Sequence, residues 1–237
     1  MGRTDIHSHL LPNIDDGARS LEIALDLYRM AVADGTTHLV ATPHCNYEYA
    51  FDPARNAQAL AAMREQIPEL SITLGCELHL SDANVAAAIA DPSHFTCGES
   101  NYLLVEFDDF VLADQVAVPI NRLHRAGFRT IVAHPERNLM FLREIQHVER
   151  FRDLGCRMQI TADSLSGNWG RPAKMFAEKM LKNGLVDVIA SDAHSQHRRP
   201  PHLAQAEKMA ASIVGAQKAR MLVEDNPAAI VANQPLS

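Results

Sequence analysis

Short runs of aliphatic and β-branched residues alternate with amphipathic segments along the whole chain. Runs of four or five such residues are typical of buried strands. Seven of them predict strands, at residues 4–7, 37–41, 71–75, 102–105, 129–133, 157–160 and 186–190. The other segments repeat apolar residues at helical spacing and often stop at a glycine. They predict helices at about 20–34, 53–67, 84–90, 114–126, 139–154, 174–183, 202–214 and 216–223.

This regular alternation of strand and helix is the pattern of a closed parallel barrel rather than of a β-sandwich. Seven units instead of eight indicate an α/β fold of the distorted (β/α)7 TIM-like kind. No low-complexity linker divides the chain, and 237 residues is a common length for one α/β barrel. We therefore expect a single domain over residues 1–237.

Composition narrows the class of protein. A hydrophobic content of 47% with 22% charged residues is enough for a full core, and a net charge of −7 argues against a nucleic-acid-binding surface. No apolar run approaches the length of a membrane span, and the N-terminus carries no apolar signal core. We expect a soluble, cytoplasmic protein without membrane insertion.

The cysteines exclude one class of phosphatase. Cys45, Cys76, Cys97 and Cys156 form no Cys-x2-Cys pair, so reduced and buried thiols are expected. None of them has an arginine six residues downstream. The Cys-x5-Arg loop of the cysteine-dependent phosphatases is therefore absent.

Potential metal ligands recur where the predicted strands end. The carboxyl ends of the strands form the active-site face of such a barrel. At or just after strands one to five and seven lie His7, His9, His44, Glu77, Glu106, His134, Asp192 and His194. Any one of them alone is better explained as a capping or core residue, but six strand ends together indicate a shared site.

These residue types favour a metal centre. Converging imidazoles and carboxylates would repel one another unless cations lay among them, and manganese, iron, zinc and magnesium all accept such ligands. The remaining histidines are expected on the surface or on helices: His38, His79, His94, His124, His147, His197 and His202. Two of them, His79 and His197, follow rim positions closely enough to contact a substrate.

Six motifs resemble those of the polymerase and histidinol phosphatase (PHP) superfamily. They are Asp-Ile-His-Ser-His (5–9), Ala-Thr-Pro-His (41–44), Gly-Cys-Glu (75–77), Leu-Val-Glu-Phe (104–107), Ala-His-Pro-Glu-Arg-Asn (133–138) and Ala-Ser-Asp-Ala-His (190–194). More closely, the chain resembles the bacterial manganese-dependent protein-tyrosine phosphatases that are encoded with capsule and exopolysaccharide genes. That resemblance also covers residues 11–17, 159–167 and 225–227.

The resemblance implies three divalent metal ions, with manganese expected and iron, zinc or magnesium as alternatives. The implied ligand sets are His7, His9, Glu77 and Asp192 for one ion; Glu77, Glu106 and His134 for a second; and Asp16, His44 and His194 for a third. Asp16 matches the family position rather than Asp15, and Asp5 is expected to orient the histidines.

Two arginines match family residues that hold the phosphate. Arg137 and Arg199 each offer a planar guanidinium that binds two phosphate oxygens at once, whereas Arg198 is expected to face solvent. Together with the metals they imply phosphomonoester hydrolysis, in which a hydroxide bridging two metal ions attacks phosphorus in line.

The expected enzyme is therefore a metal-dependent protein-tyrosine phosphatase that acts on a phosphotyrosine protein, a bacterial tyrosine autokinase of capsule or exopolysaccharide synthesis. The alternative is a histidinol-phosphate or other small-molecule phosphatase on the same scaffold. A non-catalytic binding module is disfavoured, because every expected ligand position is occupied. The sequence indicates no oligomeric state and no general acid.

Overall fold

Parallel strands alternate with helices throughout the computed structural model, which describes residues 2–236. The strands are β1 (Arg3–Ser8), β2 (Thr36–Ala41), β3 (His44–Cys45), β4 (Ile72–Leu74), β5 (Glu77–His79), β6 (Tyr102–Glu106), β7 (Arg129–Ala133), β8 (Arg157–Thr161) and β9 (Val188–Ala190). The helices are α1 (Leu21–Ala33), α2 (Pro53–Gln66), α3 (Asp82–Ala90), α4 (Ala113–Arg125), α5 (Leu139–Arg143), α6 (Gln146–Asp153), α7 (Ala162–Ser166), α8 (Gly170–Lys182), α9 (Ala204–Val214), α10 (Ala216–Val223) and α11 (Asp225–Val231). Short 3₁₀ turns lie at Pro92–His94 and Pro135–Arg137.

Local side chains start the first three helices. Ser20, Asp52 and Ser81 each accept a hydrogen bond from a backbone N–H in the first turn of the helix that follows. Pro53 opens α2, where its missing N–H costs no helical hydrogen bond. These starts follow from sequence alone.

Two of the seven predicted strands are each followed closely by a short second strand that was not predicted. Thr42 and Pro43 separate β2 from β3, while Gly75 and Cys76 separate β4 from β5. Proline has no N–H to donate to a ladder, but the Pro43 carbonyl accepts a hydrogen bond from the Glu77 amide at 3.1 Å. Backbone pairing thus resumes after each break, and seven strand positions are kept.

The strand positions follow chain order around the barrel. Parallel pairing runs through two sheets, β1–β2–β4 and β3–β5–β6–β7–β8–β9. The last strand meets the first near their carboxyl ends, where Ser8 bridges Ala193 and the Asp192 amide donates to the His7 carbonyl at 2.8 Å. The fold is the predicted distorted (β/α)7 TIM-like barrel, and its sheet is not a continuously hydrogen-bonded cylinder.

The helices differ from prediction in three places. The segment predicted as one helix at 139–154 is α5 and α6, because Glu144 between them is extended (φ −148°, ψ 125°). The five-residue α7 follows β8 directly and is too short for a periodic signal. A seven-residue helix, α11, follows α10 near the C-terminus. Neither α7 nor α11 was predicted.

Alternation along the strands sorts side chains into two layers. Leu103 and Val105 pack with the helices, whereas Leu104 between them belongs to a separate apolar cluster. That cluster draws mainly on five strands, through Ile6, Val40, Tyr102, Leu104, Ile131, Ala133, Val188 and Ala190. The barrel therefore has an apolar interior beneath its polar mouth.

Two expectations from the sequence can be compared directly with the structure. The four cysteines are buried and free, as predicted. Among residues 2–236, no helix is both long and apolar enough to cross a lipid bilayer.

Three phenylalanines cluster in the core between the strands and the helices, and this cluster leads to a stability prediction. Phe151 is fully buried, with its ring centroid 5.3 Å from that of Phe141 and 5.9 Å from that of Phe107. We expect Phe151→Ala to lower the free energy of unfolding by about 3–5 kcal/mol, because it leaves a cavity in the helix-facing core. Urea denaturation measures the change.

The matched control is Phe110→Ala, since Phe110 is 80% exposed. It should change the free energy of unfolding by less than about 0.5 kcal/mol. Equal losses in the two variants would contradict the assignment of Phe151 to the core.

Candidate metal centre

The polar residues after β7 and β9 are turned into the barrel mouth by unusual backbone conformations. His134 has φ 36° and Asp192 has φ 54°, both in the left-handed region that non-glycine residues seldom adopt. Such strain is typical of functional sites, where the surrounding fold holds it in place. Here the Asp192 amide is held by the His7 carbonyl of the first strand.

Four of the predicted ligands lie together at the centre of the mouth. The Nε2 atoms of His7 and His9 are 3.2 Å apart. Glu77 Oε2 lies 3.3 Å from His7 Nε2 and 3.2 Å from His9 Nε2. Asp192 Oδ1 lies 3.3 and 3.5 Å from the same two nitrogens. All four side chains are almost completely buried.

These separations fit shared cations, with His7, His9 and Asp192 forming one ligand group and His7, Glu77 and His134 another. Ligand atoms arranged tetrahedrally at about 2.1 Å from one ion lie about 3.4 Å from one another. Four ligand atoms in the mouth are buried without any hydrogen-bond partner: His44 Nδ1, Glu77 Oε2, Asp192 Oδ1 and His194 Nε2. Buried polar atoms normally have partners, so the donor set suits metal ions.

Two further groups flank this centre. Asp16 Oδ1 lies 3.4 Å from His44 Nε2 and 3.2 Å from His194 Nε2. On the other side, Glu77 Oε1 lies 2.7 Å from His134 Nε2, and His44 Nδ1 lies 3.5 Å from Glu106 Oε1. All nine predicted ligand residues thus belong to groups with metal-ligand spacing. The groups differ from the implied sets in three ways. Glu106 is grouped with His44 and Glu77 rather than with His134, Glu77 is not grouped with His9 and Asp192, and His9 is also grouped with Asp16, His44 and His194.

Neighbouring side chains hold the imidazoles in place. Asp15 Oδ2 lies 2.8 Å from His9 Nδ1 and also accepts from the His44 amide, so it is Asp16 that faces the ligand group. Gln159 Oε1 accepts from His7 Nδ1 at 2.9 Å. Partners of this kind set the tautomer and orientation of metal-binding histidines.

Asp5 acts on the backbone rather than on the rings. Its carboxylate accepts hydrogen bonds from the His7 amide and from both the amide and hydroxyl of Ser191. Asp5 therefore ties the end of β1 to the end of β9, and it orients the histidines only through the chain.

The buried imidazoles and carboxylates of the mouth shift one another's pKa values. Burial alone would raise the pKa of the Glu77 carboxyl, but the imidazoles of His7 and His134 hold that pKa well below its usual value. Burial would lower the pKa of His9, yet the Asp15 carboxylate raises that pKa to about 9. Burial, together with His9, lowers the pKa of His194 to about 4. Protons on some imidazoles thus supply positive charge that divalent cations would also supply.

Both predicted arginines reach the same carboxylate. Arg137 Nη1 and Arg199 Nη2 donate to Asp192 Oδ2 at 2.7 and 2.6 Å. Asp192 therefore presents one oxygen to the histidines and the other to the arginines, and the guanidiniums help to hold its pKa well below the usual value despite burial. Arg198 is exposed, as expected.

A cavity of about 370 Å³ opens beside these groups. Its wall combines possible ligands, both arginines and aromatic side chains: His44, Glu77, Glu106, Phe107, Asp108, Asp109, Ala133, His134, Arg137, Asn138, Phe141, Trp169 and Arg199. The seven other histidines lie outside the ligand groups found among the described residues.

Two residues of the mouth had no predicted role. Gln159 lies within β8 and is fully buried, and a glutamine between the apolar Met158 and Ile160 was the available signal. Trp169 lies in the turn between α7 and α8 and contacts both arginines. Nothing local in the sequence indicates which side chains that tryptophan meets.

Comparison with known families gives one match over nearly the whole chain. Residues 3–232 match the family described as "Capsular polysaccharide synthesis, CpsB/CapC". A putative tyrosine-protein phosphatase, CapC of Staphylococcus aureus, is 32% identical over 206 residues, covering 85% of this chain and 80% of that protein. The tyrosine-protein phosphatase YwqE of Bacillus subtilis is 29% identical over 238 residues, covering 98% of this chain and 92% of YwqE.

Solved structures agree with the sequence relatives. A structure from work on YwqE of Bacillus subtilis and CpsB of Streptococcus pneumoniae, described as metal-dependent tyrosine phosphatases, superposes with a TM-score of 0.91 at 27% identity, covering 99% of this chain and 96% of the other. A D-hydantoinase superposes with a TM-score of 0.57 at 13% identity, covering 96% and 70%. The latter likeness concerns the barrel fold alone.

The hydrogen bonds between His9 and Asp15 and between His7 and Gln159 lead to a prediction for metal affinity. We expect Asp15→Asn and Gln159→Leu each to weaken manganese binding by about 10- to 100-fold, because each frees an imidazole from its orienting partner. Calorimetric titration with manganese of protein stripped by chelation measures the affinity.

An exposed aspartate supplies the matched control. Asp114→Asn, at a side chain 80% exposed on α4, should leave manganese affinity unchanged. Full manganese affinity in both Asp15→Asn and Gln159→Leu would contradict the orienting role.

Proposed function

Because the chain belongs to the CpsB/CapC capsular polysaccharide synthesis family, we propose that it is a metal-dependent protein-tyrosine phosphatase. The observation that carries this proposal is the convergence of nine ligand-type side chains at the barrel mouth, beside a cavity lined by four of them and by both arginines. Relatives named tyrosine-protein phosphatases align with nearly the full chain. These relatives favour this activity over a histidinol-phosphate phosphatase.

Three divalent ions, with manganese as the expected metal, form the proposed cofactor. His7, His9, Glu77 and Asp192 would hold one ion; Glu77, Glu106 and His134 a second; and Asp16, His44 and His194 a third. The ions supply a nucleophilic oxygen at neutral pH and positive charge for the phosphoryl group. Glu77 offers separate oxygens to two sets, since Oε1 faces His134 and Oε2 faces His7.

Arg137 and Arg199 are the proposed phosphate-binding residues. A guanidinium carries five N–H donors, and Asp192 accepts from one nitrogen of each arginine. The Arg199 Nε atom is buried without a hydrogen-bond partner. Donors are therefore left over for phosphoryl oxygens at the cavity, where they would neutralise charge that develops during transfer.

Selectivity for phosphotyrosine follows in part from the leaving group. A phenol has a pKa of about 10, so its anion leaves far more readily than a serine alkoxide. The residues of the mouth then need to supply less acid assistance. The aromatic wall formed by Phe107, Phe141 and Trp169 suits an aryl group.

The proposed partner is a bacterial tyrosine autokinase of capsule or exopolysaccharide synthesis, whose phosphotyrosines would be the substrate. The match to a capsular polysaccharide synthesis family supports this part of the proposal. A cytoplasmic location is part of the same proposal.

Ligand variants test the active-site assignment. We expect His134→Asn and Asp192→Asn to reduce hydrolysis of an aryl phosphate by more than the roughly 100-fold that loss of an outer partner costs. Asparagine tolerates the left-handed backbone at both positions, so far-ultraviolet circular dichroism and the melting curve should still indicate a folded protein.

The control is His94→Asn, at a side chain 48% exposed and outside the ligand groups. It should keep full activity. Parental kcat/KM in either His134→Asn or Asp192→Asn would rule out the proposed site.

Metal removal and substrate choice test the proposed reaction. Chelation should abolish phosphatase activity, and adding back each ion separately should restore it most strongly with manganese. With the restored enzyme, kcat/KM for a phosphotyrosyl peptide should exceed that for histidinol phosphate. Activity that survives complete metal loss, or a preference for histidinol phosphate, would refute the proposal.

A further inference from the structure

Trp169 is the single tryptophan of the chain, and it lies under both arginines of the mouth. The centroid of its ring is 4.0 Å from Arg137 Cζ and 5.1 Å from Arg199 Cζ. The two guanidiniums also share Asp192 Oδ2 as an acceptor. The two arginines thus share two neighbours, the Asp192 carboxylate and the Trp169 ring.

Two like charges held this close repel each other, so the pair needs more than one fixed partner. Asp192 offers a single oxygen to both and can hold only one edge of each guanidinium. An aromatic face attracts cations within about 6 Å of its centroid. Stacking on the ring leaves the in-plane N–H donors pointing outward and free for another acceptor.

The backbone around Trp169 is a tight turn rather than a loose loop. Gly167 (φ 95°) and Gly170 (φ 86°) lie on either side of Asn168 and Trp169, both in the left-handed conformation. Within the turn, the amides of Gly167 and Asn168 donate to the Asp163 carbonyl, and the Gly170 amide donates to Gly167. The indole therefore projects from a fixed support.

The environment of the indole also argues against a packing role. Its side chain is 38% exposed and lines the cavity instead of the core. A large apolar group in such a place gains less from burial than the core aromatics do. Its ring lies instead against the two guanidinium cations.

We propose that Trp169 is a positioning residue, which keeps Arg137 and Arg199 side by side at the mouth so that both bind the phosphoryl group. The proposal rests on the phosphate-binding role proposed above for the two arginines. It adds a residue that acts through those arginines and does not itself touch the reacting atoms.

Tryptophan fluorescence gives a direct test, because all of the tryptophan emission comes from Trp169. Manganese-loaded protein is titrated with inorganic phosphate while tryptophan emission is recorded, and calorimetry measures phosphate binding in parallel. Emission should change with the same midpoint as the calorimetric curve. Phosphate binding without any change in emission, or no phosphate binding at all, would overturn the proposal.

Paired substitutions separate the aromatic face from simple packing. Trp169→Phe keeps a π face, whereas Trp169→Leu keeps apolar bulk without one. We expect Trp169→Leu to weaken phosphate binding by about tenfold and Trp169→Phe by no more than about threefold. Manganese content and melting temperature should stay at parental values in both.

The control variant is Phe110→Leu, at an exposed aromatic outside the cavity wall, which should keep parental phosphate affinity. Parental affinity in Trp169→Leu, or equal weakening in the leucine and phenylalanine variants, would overturn the proposal.

Phosphate affinity requires no turnover, so these measurements are independent of catalysis. If the parent binds phosphate but fails to hydrolyse a phosphotyrosyl peptide, the proposed function falls. The role of Trp169 is then still decided by the leucine and phenylalanine variants.

Discussion

The structure depends on the electrostatic pairing of buried carboxylates with imidazoles at the mouth of the barrel. Glu77 and Asp192 are almost fully buried, and an unpaired buried carboxylate is strongly destabilising. Each lies within about 3.5 Å of the imidazoles of His7 and His9. His7 lies in the first strand, and His9 directly follows it. The ends of the first, third and last strand positions are therefore held together by charge, and cations among them would strengthen that link.

The same arrangement joins the ligand set to the phosphate-binding set. Asp192 has one oxygen beside the histidines and the other beside Arg137 and Arg199. A change in charge at the histidines therefore alters the electrostatic environment of the arginines through this one carboxylate, and a change at the arginines does the same for the histidines. Glu136, next to Arg137, is fully buried and accepts from the Thr161 amide and the Ser164 hydroxyl, which anchors the arginine turn to the end of β8.

Much of this fold and site could be predicted from local sequence. Short apolar runs predict the seven strand positions because each strand is buried on both faces, one toward the helices and the other toward the interior. Ligand residues were identifiable because they follow those apolar runs, and parallel strands bring their carboxyl ends to one face. The short second strands His44–Cys45 and Glu77–His79 were not predicted, since only backbone pairing with neighbouring strands decides where a ladder resumes.

The sequence by itself determined which residues could reach the mouth. The short apolar runs predict the strands, and the residues at the strand ends are the candidate ligands. Only the tertiary structure decided their roles. Asp15 and Asp16 are adjacent in sequence, yet one orients His9 and the other faces His44 and His194. Gln159 and Trp169 gained partners from segments distant in the chain. The physical reason is that hydrogen bonds, ion pairs and stacking act over a few ångströms in space, whatever the separation along the chain.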